Sequence, residues 1–168
     1  AYMKRVFEVI DLDHLAGITH RWQKIPLTAA YGRYDEARER ADLMDYCEGM
    51  LRLLEAAFIL QRKMEWEIEG RVRWKLSENL RYDLLNEEHG FQLSEEEINK
   101  PNTVIETFFE NFTPTYARRE LWDMLACVVE CKQEDLNRLD LLLEYECLHA
   151  ILEAAWLYRN QLQEQTKQ

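Results

Sequence analysis

The sequence predicts an all-α fold, a single-domain antiparallel helical bundle of about five to six helices over residues 1–168. Three observations carry that expectation. Gly and Pro are scarce, at 5 and 3 residues, while Leu, Glu, Arg and Ala abound, which favours long helices over tight turns. Apolar side chains recur at i, i+3, i+4 and i+7 through most of the chain. Helix-start signatures stand where those patterns begin. At 168 residues and 47% apolar, the chain is long and apolar enough for a substantial core.

Residues 2 to about 23 read as the first helix. Met3, Val6, Phe7, Ile10, His14, Gly17, Ile18 and Arg21 share one face, with His14 near its middle. Lys24 to Tyr34 contains Pro26 and Gly32 and reads as a connection. A long helix follows from about Asp35, with Asp35 or a neighbour as cap and Glu36 and Glu39 in its first turns. Its stripe is Leu43, Tyr46, Cys47, Met50, Leu51, Leu54, Ala57 and Phe58.

Residues 64–76 carry two periods. Trp66, Ile68, Gly70, Val72, Trp74 and Leu76 alternate with charges as in a short β-hairpin, whereas Met64, Ile68, Val72, Leu76, Leu80 and Leu84 follow a helix. The missing two-residue turn signal and the helix-forming flanks favour a helix, kinked or broken near Gly70. His89-Gly90 ends that element, with Gly90 as the residue beyond its C-terminus.

Ser94 to Glu97 reads as a capping box, and Leu93 and Ile98 as its hydrophobic staple. Pro101 truncates the short helix, Thr103 and Glu106 form a second capping box, and Thr113-Pro114 starts a helix reaching about Lys132. The polar Lys132 to Asp135 separates it from a last helix at about 136–164, as a loop or as a turn within one longer helix.

The net charge is −11, from 32 acidic and 21 basic residues. That sign opposes a nucleic-acid backbone and an anionic membrane surface; it suits a basic protein partner or divalent cations. No apolar run approaches the ~18 residues of a membrane span, and no secretory leader is visible. Cys47, Cys127, Cys131 and Cys147 all fall in apolar helical stretches and read as buried thiols of a reducing compartment, so the expected location is cytoplasmic. Cys127-x3-Cys131 with Cys147-x-His149 imitates a zinc pattern only loosely.

Glu146, His149 and Glu153 form the most chemical-looking cluster. At i, i+3 and i+7 they border a stripe of Leu139, Leu142, Leu143, Ala150, Ala154 and Leu157. Asp11-x-x-His14 repeats the acid-x-x-His spacing that helical bundles use for dinuclear centres, with Glu48, Glu55 and Glu130 as further carboxylates. His14, Glu146, His149 and Glu153 are therefore the candidate ligands for Fe, Mn or Zn. Set against this, Asp11 is shorter than Glu and points about 60° away from His14. A buried, hydrogen-bonded His14 and an ion-paired Glu146 explain the same residues.

Glu36, Glu39, Asp42, Asp45 and Glu48, with Glu120-x-x-Asp123, suggest Mg²⁺ chemistry of the kind all-α nucleotide pyrophosphohydrolases perform. Steps of three residues drift by about 60° each, so these five acids wrap around their helix, and Arg38 and Arg40 interrupt them. Nucleophilic catalysis has almost no support: Ser77 and Ser94 are the serines, and no phosphate-binding loop occurs. Trp66 and Trp74, set among Glu, Arg and Lys, suit a protein interface. The expectation is a non-enzymatic acidic interaction module (adaptor, regulatory subunit or homo-oligomer) without cofactor. It would meet a protein partner or its own copy, not nucleic acid or membrane. A carboxylate–histidine metalloprotein is the alternative.

Overall fold

The computed structural model describes residues 2–28, 34–68, 92–131 and 137–165, the side chains of 2–4 and 63–68 excepted. These residues form seven α-helices and, among themselves, no strand: α1 (Tyr2–Val9), α2 (Leu12–Thr28), α3 (Ala37–Ile68), α4 (Glu95–Asn99), α5 (Pro101–Asn111), α6 (Pro114–Glu130) and α7 (Arg138–Gln165). The all-α expectation holds. The helical reading holds for residues 64–68, which continue α3; residues 69–76, and His89-Gly90 with them, lie outside the described residues.

The expected first helix is two helices. The Asp11 carboxylate accepts the backbone N–H of His14 at 2.7 Å, and its carbonyl accepts that of Leu15 at 3.2 Å, so Asp11 caps a new helix. The break resets the helical phase. Leu12, Leu15, Ile18, Thr19 and Trp22 now face inward, while His14 and Arg21 are exposed rather than central to a stripe. α2 also runs into the expected connection, as far as Thr28, and keeps Pro26, buried, in its last turns. Thr28 Oγ1 donates to the Lys24 and Ile25 carbonyls there, at 2.8 and 3.3 Å.

α3 is the central element, packed against α1, α2, α4, α5 and α7. Its expected stripe is buried, with Phe58 half-buried. From Leu53 to Ala57 every residue is buried, as befits a helix covered on all sides. Glu36 precedes it as cap, its N–H reached by Glu39 Oε2 at 3.4 Å.

The Ser94 capping box forms in both directions: Ser94 N donates to Glu97 Oε2 at 2.9 Å, and Glu97 N to Ser94 Oγ at 3.4 Å. Lys100 ends α4 and starts α5, with Pro101 at the first helical position. The second capping box therefore does not form; Thr103 lies inside α5 and donates to the Lys100 carbonyl at 2.8 Å. Thr113 caps α6 as expected, accepting from Tyr116 N at 3.2 Å. Cys131 ends α6 in an extended conformation, and Asn137 opens α7 by accepting from the N–H groups of Leu139 and Leu141, both at 3.1 Å. α6 and α7 are thus separate helices, joined through residues 132–136 outside the described set.

A chain of ring contacts stitches the core together. Tyr46 on α3 meets Phe112 edge-on at 5.5 Å, Phe108 meets Phe109 at 5.1 Å, and Phe109 meets Trp156 of α7 at 5.1 Å. Much of the aromatic content therefore belongs to the core.

Candidate interaction surface

α7 has two apolar faces on opposite sides. Leu141, Glu144, Cys147, Leu148, Ile151, Leu152, Ala154 and Ala155 are buried against the core. At 100° per residue, Leu139, Leu142, Leu143 and Leu157 lie about 180° from that face, and all four are exposed, Leu139 by 75%. The four leucines of the stripe read from the sequence point outward, whereas Ala154 of that stripe is buried and Ala150 packs against the core. Periodicity could not settle the phase, because leucines stand on both sides. The inner face is fixed by Glu144, which a hydropathy pattern places outside. Its carboxylate accepts from the Arg21 guanidinium at 2.5 Å and from Trp22 Nε1 at 3.1 Å, partners waiting on α2.

α6 runs antiparallel beside α7 and extends the outer face with Trp122, 57% exposed, and Val129, 56% exposed. A ladder of side chains crosses the seam. Trp122 meets Tyr145 edge-on at 5.6 Å, and Tyr145 stacks on His149 at 5.7 Å. His149 Nε2 lies 3.9 Å from Glu153 Oε1, and Arg118 Nη1 donates to that same oxygen at 2.8 Å. Partial burial beneath the ladder raises the Tyr145 phenol. Burial, with the neighbouring Glu146 charge, raises the Cys147 thiol.

The candidate ligands divide accordingly. His149 and Glu153 come together within this ladder; Glu146 is exposed beside them, and His14 is exposed on α2. The Asp11-x-x-His14 pair meets through the main chain, as a helix cap. Among the described residues no three His, Cys, Asp or Glu side chains gather closely enough to hold a metal ion. Glu120, expected opposite the acids of α3, is buried and accepts the Tyr34 hydroxyl at 2.6 Å. All four cysteines are free thiols; burial, with the charge of Glu120, pushes Cys47 up to about 12. A thiol so placed is a poor nucleophile near neutral pH. Trp66 lies on α3 with its side chain outside the description, and Trp74 lies outside the described residues.

Among the described residues no helix is long and apolar enough to cross a membrane. No protein-family model, curated protein or solved structure matches this chain.

Proposed function

We propose that the chain is an interaction module that docks a protein surface, a partner's or its own copy's, on the outer face of α6 and α7. One observation carries this reading. Of the eight large apolar side chains exposed among the described residues, six lie on these two helices: Trp122, Val129, Leu139, Leu142, Leu143 and Leu157. Scattered exposed leucines are ordinary, but a row along one seam is not. Trp122 has the character of an interface anchor, with charged Arg118, Glu146 and Glu153 beside it as a polar rim.

The test is Leu139→Glu with Leu142→Glu, and separately Trp122→Ala, read by sedimentation velocity over a concentration series and by binding of any purified partner. These residues support no core, so unfolding free energy should stay within about 0.5 kcal/mol of the parent. Association should weaken by at least about tenfold for an anchor of this kind. Unchanged association in all variants would remove the α6–α7 face from consideration. The same measurement on Trp66→Ala and Trp74→Ala tests those two tryptophans as a second contact.

A further inference from the structure

A groove of about 800 Å³ runs between α3 and α5 and reaches Tyr116 in the first turn of α6; none of the exposed apolar residues of the outer face of α6 and α7 lines it. Asp42, Asp45 and Glu48 form one wall, and Thr103, Thr107 and Asn111 the other. The floor is aromatic: Phe112 and Tyr116 stack at 5.9 Å, the Arg119 guanidinium already lies over the Tyr116 ring at 5.3 Å, and Gly49 lets Phe108 and Phe112 come close to the α3 backbone. At one end Arg52 pairs with Glu97, so that acid is already neutralised. Asp42, Asp45 and Glu48 are exposed, and no ion pair or hydrogen bond reaches their side chains from the described residues. Three uncompensated carboxylates thus edge an aromatic trough, on a chain of net charge −11.

We infer that this groove docks a basic segment of a partner protein, one that presents Lys or Arg at helical spacing to Asp42, Asp45 and Glu48 and lays its apolar stems along Phe112. Charge complementarity selects the sign of the occupant. Spacing selects its form: successive acids on the wall are about 4.5 Å apart along the axis, and cations at i, i+3 or i+4 of a second helix rise by about 4.5 to 6 Å. Length selects a segment over a small cation, since Asp42 to Arg52 spans about 15 Å of helix. An aromatic floor suits an Arg or Lys stem better than a hydrated metal ion.

The probe is a fluorescein-labelled, end-capped peptide of about twelve residues with Lys and Leu at helical spacing, followed by anisotropy at about 50 mM salt. The groove variant Asp42→Asn/Asp45→Asn/Glu48→Gln should weaken binding at least about tenfold. A remote variant, Asp13→Asn/Glu130→Gln/Glu164→Gln, removes as much charge and should change it less than about twofold. Thr107→Lys, at an exposed position, places a competing cation in the trough and should match the groove variant. Leu142→Glu on α7 should bind the peptide normally, so failure here is separable from failure of the α6–α7 reading. Equal losses from the two charge variants would mean attraction by net charge alone and would overturn the inference. So would normal binding by Thr107→Lys, or displacement of the peptide by an equal concentration of spermidine.

Discussion

Three carboxylates are buried in the described part of the molecule, and each is held by donors distant in the chain. Glu55 of α3 accepts the backbone N–H groups of Gln92 and Leu93 at 2.9 to 3.0 Å and so fixes the entry to α4. Glu120 takes Tyr34, and Glu144 takes Arg21 and Trp22. Their partners were not legible in the sequence: Glu55 and Glu120 read there as candidate metal carboxylates, and Glu144, among leucines, as surface. Glu144→Ala should cost about 2 to 3 kcal/mol in urea unfolding, because it strips two charge-assisted donors. Glu144→Gln, which keeps the shape, should cost less; equal costs would mean that charge is irrelevant there. Glu97 gives a pH dependence. Partial burial acts to raise its carboxyl, but the Ser94 N–H and hydroxyl and Arg52 outweigh it and hold the group below its ordinary value. An acid lowered in the folded state stabilises above its unfolded pKa, and the gain is lost as pH falls through the folded value. Glu97→Gln should therefore lower the urea midpoint at pH 7, and lower it less at an acid pH where the folded carboxyl has begun to take up its proton. An equal deficit at both pH values would contradict this.

Among the elements, local start signals were readable at Ser94 and Thr113 but not at Thr103, which lies inside α5 instead of capping it. Ser94 and Thr113 cap their helices as their spacing predicts, because a cap is settled within four residues. Asp11 carried the same kind of signal, but its spacing to His14 equally suits a ligand pair, and the cap is what forms. The orientation of α7 could not be read, and with it went the place of the exposed leucines. Within α3, Gly49 shows packing overriding propensity. A Cβ there would stand 2.8 Å from Phe112 Cε2 and 3.3 Å from Phe108 Cδ2. Alanine would otherwise favour the helix by about 1 kcal/mol. Gly49→Ala should thus be neutral or destabilising in the parent and stabilising by about 1 kcal/mol once Phe112→Leu opens the space. Additive effects in that double-mutant cycle would mean that the ring contact does not decide the residue.

At the scale of the molecule, one hydrophobic core draws on α1 at one end of the chain and α7 at the other. The fold class was legible because few Gly and Pro and a steady helical period leave no other architecture. The exposed apolar row of α6 and α7, which carries the proposed function, was not, because it consists of what the core leaves over, and that is known only once the core is assigned. The bonds from Arg21 and Trp22 to Glu144 close over sequence separations of 123 and 122 residues. On a ribosome adding about 5 to 20 residues per second, Trp22 waits roughly 6 to 25 seconds for its acceptor to be made. Through that interval α2 can pack on α3 and α6 but lacks the acceptor that α7 brings. A nascent chain stopped before α7 should therefore expose a buried tryptophan to whatever chaperone or protease arrives first.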